Sequence, residues 1–274
     1  MRGGVHLVTG ATEGIGLATA HQLCREGHTV LVHGRAPDKV SRVVSSLRQK
    51  NGDAHGYVAD LSVLADVRKL GAEVGGAWPR LDGLLNNAGS FDGDYTGGRL
   101  LTPDGNEYTL AVNVLAPFLL TSLLLPSLRA SEVGGRCVIA SSVSMGAADA
   151  LDDLQLERGY SGHRAYSLSK LCDAMLSREL HERYGSPPSL TFNSMDPTAE
   201  CGMGCDTKML RAGWGAWGAP ADKSTISARM LTRAEWAGRS GEGFGSRREV
   251  ADAPTRAALW RRCVELTGAE YPES

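Results

Sequence analysis

The sequence predicts a doubly wound α/β fold, a parallel sheet with helices on both faces, built as one domain over residues 1–274. Three observations predict it. Short apolar runs alternate with segments of ten or more residues in helical period, as strands and crossover helices of a parallel sheet do. The first apolar run leads directly into a glycine-rich stretch, TGATEGIG at Thr9–Gly16, before the first helix. No internal repeat and no Pro- or Ser-rich linker divides the chain, and its length is within range for one α/β domain.

In chain order, Val5–Thr9 reads as a buried parallel strand. Gly14–Glu26 reads as a helix with Ile15, Ala18, Ala20 and Leu23 inward. Thr29–His33 is a strand, and Pro37–Lys50 a helix closed by Asn51-Gly52. Ala54–Ala59 is the third strand, with Ser62 capping the helix that runs to about Gly75. Leu81–Leu85 is the fourth strand, and Asp104 opens one long helix, or two stacked ones, through Leu128. Arg136–Ser141, Gly162–Tyr184 and Ser189–Met195 read as strand, helix and strand. After Pro197 the regularity fails, and a small lobe at about 198–235 is expected to cover a substrate. Asp222–Ala234 returns to helix, Gly241–Ser246 is a weak last strand, and Pro254–Leu266 is a helix with proline at its first position.

A formal net charge of −2 gives no attraction for nucleic acid or an anionic membrane. The most apolar run, Val114–Leu128, is interrupted by Pro117, Thr121, Ser122 and Pro126 and reads as too short to span a bilayer. The first strand begins too early for a targeting segment, so a soluble cytoplasmic protein is expected. Of Cys24, Cys137, Cys172, Cys201, Cys205 and Cys263, three lie in core segments, which favours buried thiols in a reducing compartment. Cys201 and Cys205 are the one close pair, and no neighbouring histidine or cysteine completes a metal site around them.

Four motifs carry chemistry. In TGATEGIG, Gly10 permits a tight turn, Gly14 lets backbone approach a phosphate, and Gly16 lets the helix pack on the sheet. The helix N-terminus then offers free N–H groups to an anion, although a ligand-free βα turn reads the same way. At the end of the second strand, where an acidic residue would hold the ribose of NAD, stand Gly34 and Arg35. An arginine there pairs with a 2′-phosphate, which favours NADP(H) over NAD(H); a solvated surface arginine is the alternative. Glu13 opposes this by adding negative charge nearby. Asp60 in ADLS either accepts from the adenine amino group or caps the next helix. Finally, Tyr166 and Lys170 are four apart in a predicted helix and share a face. A cation beside a phenol lowers its pKa from about 10, and a tuned tyrosine moves a proton to or from an oxygen. Alone, such a pair is common on solvated helices.

Together these segments resemble the short-chain dehydrogenase/reductase family. TGATEGIG matches its cofactor loop, NNAG at Asn86–Gly89 a segment beside the adenosine, NVLAPF its asparagine at Asn113, SSVS its serine at Ser142, and YSLSK its Tyr166 and Lys170. The stretch from VIASSVS through LDDLQLERGYSGHRAYSLSKL is similar to the retinol-dehydrogenase-like branch. The resemblance implies Tyr166 as general acid and base, Lys170 as the group that lowers its pKa and binds the nicotinamide ribose, Ser142 as holder of the substrate oxygen, and Asn113 as support for a proton path to Lys170. It also implies cofactor contacts from Gly10, Thr12, Glu13, Gly14, Ile15, Gly16, Arg35, Asp60, Leu61, Asn87, Ala88, Gly89, Tyr166, Lys170, Pro197 and Thr198, and a homodimer or homotetramer formed through the helices that hold Asn113 and Tyr166.

The sequence departs from that pattern at Pro197-Thr198, where the family has Pro-Gly. A β-branched residue disfavours positive φ, so the loop must run differently, and the threonine near the nicotinamide is either Thr198 or Thr207. Met145, Leu151, Tyr160, Met203, Met209, Trp214 and Trp217 are candidate pocket walls beside Ser142 and Tyr166. They suit an apolar ketone, aldehyde or secondary alcohol, unless the tryptophans merely pack the lobe. The reading is an NADP(H)-dependent carbonyl reductase or alcohol dehydrogenase. The alternative is a catalytically impaired NADP-binding sensor or scaffold. A methyltransferase would need an acid where Gly34-Arg35 stands, and an epimerase or dehydratase a different glycine spacing.

Overall fold

The computed structural model describes residues 3–91, 98–146, 148–202, 204–215, 218–245 and 250–273. Its centre is a seven-stranded, all-parallel sheet in the order β3-β2-β1-β4-β5-β6-β7. The strands are β1 (Val5–Val8), β2 (Thr29–Gly34), β3 (Asp53–Val58), β4 (Gly83–Asn86), β5 (Gly135–Ala140), β6 (Leu190–Met195) and β7 (Gly243–Phe244). The order reverses between β1 and β4, and there a crevice opens beyond the carboxyl ends of the strands, the place where open α/β sheets bind ligands.

Helices α1 (Gly14–Arg25), α2 (Pro37–Gln49) and α8 (Ile226–Thr232) cover one face around Val8, Val30, Val32, Leu85 and Met195. On the other face α3 (Leu64–Ala77), α5 (Ala116–Arg129), α6 (Gly162–Tyr184) and α9 (Ala253–Thr267) enclose Leu7, Leu84, Phe118, Leu119 and Phe192. On α1 the inner face is Gly16, Thr19, Ala20 and Leu23, whereas Ile15 and Ala18, expected inside, are half-buried.

Three expected helix starts are corrected. Asp104 does not open the long helix: its carboxylate accepts from the Leu64 N–H on α3. The helix begins instead after Glu107, whose carboxylate accepts from the Thr109 and Leu110 N–H groups, as α4 (Tyr108–Leu110). Ser62 does not cap α3; its N–H and hydroxyl both donate to Asp60. The expected helix from Asp222 is a short 3₁₀ turn at Ala221–Lys223 followed by α8.

From α4 the chain passes through a π turn, Ala111–Leu115, into α5. The result is one continuous helix, Tyr108–Arg129, with its prolines at positions that do not break it. By length and composition this helix could cross a membrane, contrary to the expectation of an interrupted run, yet 89% of its apolar window is buried inside the protein.

On α5 and α6, the helices expected to meet a second subunit, part of the surface is covered by α9 and by the segment that follows it. Trp260 stands edge-on to Phe118 at 4.8 Å, Tyr271 stacks on Tyr184 at 5.4 Å, and the Tyr271 hydroxyl donates to the Phe118 carbonyl. Arg256, also on α9, pairs with Glu182 on α6 at 2.6 Å. Replacing Trp260 by alanine leaves a cavity among three aromatic rings and should cost about 3–5 kcal/mol, read as a lower urea midpoint with an unchanged slope.

Candidate active site

The phosphate loop is held before any ligand arrives. Gly10 lies at φ +64°, and a Cβ on Gly16 would sit 2.3 Å from the Gly10 carbonyl oxygen, so α1 can reach the loop only as glycine. Thr9 Oγ1 accepts from the N–H groups of Asn87 and Ala88, and the Asn87 amide donates to the Thr9 carbonyl. Asn87 and Ala88 therefore lock β4 to the loop. Glu13 occupies the N-cap position of α1 without a side-chain cap, which leaves first-turn N–H groups facing the crevice.

His33, at the end of β2, was not singled out from the sequence. Its Nδ1 accepts from the Gly10 N–H at 3.3 Å, so Nε2 carries the proton and donates to the Ala59 carbonyl at 3.2 Å. Burial pushes the imidazole down to about 4, against the opposing pull of Ala59 and Asp60.

On the adenosine side, Arg35 is exposed, and its guanidinium donates to the Tyr108 hydroxyl at 3.2 Å. A Cβ on Gly34 would lie 2.5 Å from Thr12 Cγ2. Thr12 thus closes the place where an acidic side chain would reach a ribose. Asp60 Oδ1 takes the N–H and hydroxyl of Ser62 in a turn ahead of α3, so it is not the cap of that helix expected as one of its two roles; Leu61 beside it is buried. Glu13 is not a bare negative charge: its carboxylate pairs with Lys39 of α2 and with Lys208, 2.8 Å away, at the start of α7 (Lys208–Trp214). Hydrogen bonds from Lys208 and then Lys39 hold it below the usual carboxylate range.

The four expected catalytic residues converge. Asn113 sits in the π turn; its amide donates to the Ser90 carbonyl at 3.1 Å and to Ser169 Oγ at 2.9 Å, and its oxygen accepts from the Ser90 N–H at 2.7 Å. Lys170 Nζ donates to the Ala140 carbonyl at 2.7 Å and to Asp173 Oδ2 at 2.9 Å, and lies 5.6 Å from the Tyr166 ring centroid. Ser142 acts on the Tyr166 phenol to pull its pKa down, and its hydroxyl accepts from the Ser144 N–H. A Cβ on Gly89 would point at Met209, Asn113 and Lys170, 3.3–4.0 Å away. Burial raises Tyr166; Lys170 pulls the phenol down in the direction expected, as does Ser142, but burial outweighs them.

Aromatic rings from the lobe, from the segment after β4 and from α6 surround the phenol. Trp214 meets the Tyr166 ring at 5.4 Å, and Phe91 and His163, neither singled out from the sequence, complete an aromatic box. His163 also hydrogen-bonds the Gly213 carbonyl. Met145 belongs to the core, Leu151 packs against it, and Tyr160 is tied to Glu107. Met203 and Trp217 lie outside the described residues.

Of the two candidate threonines, Thr207 reaches the cofactor loop: it caps α7, and its methyl would meet a Cβ on Gly14 at 3.3 Å. Thr198 turns away, its N–H and hydroxyl both donating to Asp196. That carboxylate replaces the glycine turn, and Thr198 needs no positive φ. Pro197 accepts at its carbonyl from Ser224. Cys201 and Cys205 form a disulfide at the base of the lobe, while Cys137, Cys172 and Cys263 are buried thiols.

A nucleotide-binding α/β oxidoreductase is the class this crevice defines. The profile of the short chain dehydrogenase family matches residues 4–208, and the chain belongs to that family, in its retinol-dehydrogenase-like branch. Polyprenol dehydrogenase of Mus musculus is 40% identical over 223 residues, which cover 77% of this chain and 63% of that protein. The chain therefore spans less than two thirds of that relative. Retinol dehydrogenase 14 of Homo sapiens is 31% identical over 273 residues, 91% of this chain and 80% of that protein. A crystal structure from Shigella flexneri, described as a short chain dehydrogenase complexed with NADP, superposes with a TM-score of 0.69 at 25% identity, covering 88% of this chain and 95% of the other.

His33 must stay neutral to accept from Gly10. Because its pKa in the fold is depressed from 6.5, its contribution is present above that value and is lost as pH falls toward 4. Dinucleotide affinity measured by titration should hold until pH approaches 4 and fall there, as His33 protonates in the folded protein, and His33→Ala should weaken it about fivefold to tenfold at neutral pH.

Proposed function

We propose that this chain is an NADP(H)-dependent oxidoreductase that interconverts an apolar ketone or aldehyde and its alcohol. The observation that carries the reading is the Tyr166 phenol with Ser142 acting on it and Lys170 5.6 Å from its ring, beneath an aromatic cover. The crevice fits a dinucleotide: uncapped N–H groups at α1 suit a pyrophosphate, and the hollow that a Gly89 side chain would fill opens toward Asn113 and Lys170. Arg35 supports the choice of NADP(H), as does the steric closure by Thr12 of the position an acid would need. The Lys39 and Lys208 ammoniums outweigh Glu13 beside it.

When bound, the nicotinamide supplies or accepts the hydride. In reduction, Ser142 holds the carbonyl oxygen, and Tyr166 hands it the phenolic proton. In oxidation Tyr166 takes that proton back. Lys170 steadies the phenolate formed in between, and Asn113 holds the Ser90 segment against α6 so that these groups stay in register. Phe91, His163 and Trp214 exclude water and present flat apolar walls.

Tyr166→Phe should lower NADPH-dependent reduction of apolar ketones by at least about a thousandfold while leaving NADPH binding within a few-fold. Arg35→Ala should weaken NADPH binding about tenfold or more with little change for NADH. Equal loss for both nucleotides would remove the 2′-phosphate assignment. Trp214→Ala should raise KM for apolar substrates more than it lowers kcat.

A further inference from the structure

Asp173 follows Lys170 by one helical turn on α6 and shares its face. Its Oδ2 is 2.9 Å from the Lys170 ammonium, and the two residues are 1% and 4% exposed. An exposed pair at this spacing contributes little, but a buried carboxylate persists only where a specific partner holds it. The same ammonium is drawn to the Ala140 carbonyl at the end of β5. Lys170 is thus fixed between strand and helix, and the Tyr166 phenol faces a neutralised couple rather than a bare cation.

Among the described residues the other titratable or charged groups around this couple are few, and His163 of α6 stands in the aromatic box beside Tyr166. Asp196, after β6, is engaged with the Val143 N–H and with Thr198. Cys172 on α6 and Cys263 on α9 are buried thiols that burial keeps protonated. From the π turn comes Asn113, which does not titrate.

We infer that Asp173 is a positioning residue of the reaction: it holds Lys170 against Ala140 and offsets its charge at Tyr166, and so sets the pH range over which the phenol gives and takes its proton. The inference rests on the role of Tyr166 proposed above. Burial pushes the Asp173 carboxyl up to about 6, with Lys170 opposing, so at neutral pH the carboxylate is ionised and the offset is in force. The phenol then keeps its proton, the form that carbonyl reduction consumes. Removing the negative charge leaves Lys170 unopposed and favours the phenolate. A unit charge several ångströms away at the effective dielectric of a protein moves a pKa by about one unit or more.

Asp173→Asn, of the same shape without the charge, tests this. The basic limb of kcat/KM for ketone reduction should move down by about one pH unit, and alcohol oxidation at neutral pH should rise by up to about tenfold. Asp173→Glu, which keeps the charge, should restore the limb. The ultraviolet absorbance of tyrosinate, taken as the difference between each protein and its Tyr166→Phe counterpart, reads the same shift without substrate. A folded Asp173→Asn protein whose limb and tyrosinate titration stay in place, or move upward, overturns the inference. Should that variant fail to fold, Asp173→Ser carries the same expectation. If wild type reduces no carbonyl, the proposed function fails, while the tyrosinate titration still decides the role of Asp173.

Discussion

The site depends on one carboxamide. Asn113 is fully buried within a helix and yet spends its three side-chain hydrogen bonds outside that helix, on Ser90 and Ser169. A regular α-turn gives way here to a π turn, the local distortion that often marks functional positions in helices. Through Asn113 the segment after β4, which carries Gly89 and the aromatic Phe91, is fastened to α6, which carries Tyr166 and Lys170. The two walls of the crevice thereby become one body. Because the helix around it is sunk in the core, this fastening is supported from below by Leu110, Val114, Leu115 and Phe118.

Local chemistry was readable wherever a residue type and its spacing leave few choices. The glycines of the phosphate loop, the bounds of α6 and the pairing of Tyr166 with Lys170 follow from period and pattern alone. The misread helix starts have a common cause. Asp104 and Ser62 are favoured capping residues in one dimension and Glu107 is not, yet the partner of each is chosen by the tertiary fold: Asp104 caps a helix 40 residues upstream. Thr198 was readable as a departure but not as a solution, because the compensating carboxylate of Asp196 had no pattern to announce it. His33, Phe91, His163 and Asp173 likewise carry no spacing signature. They matter because folding sets them against a loop, a ring or an ammonium.

Charge in the crevice follows the same logic. A glutamate in a phosphate loop looks unfavourable when counted in isolation. Lys39 and Lys208 surround it, and the local sum is positive on the side where Arg35 waits. Similarly, a lysine four residues after a tyrosine suggests an activated phenol, until burial under Trp214 and the carboxylate of Asp173 are included. Proximity states which groups interact, while depth and counter-ions decide the sign.

Helix α7 is only about 10 Å long. At its first turn Thr207 and Lys208 rest on the phosphate loop, and at its last turn Gly213 and Trp214 rest on His163 and Tyr166. So short a rod has no joint between its ends. Any displacement of α7 as a unit therefore disturbs both sets of contacts at once, those with Gly14 and Glu13 and those with His163 and Tyr166.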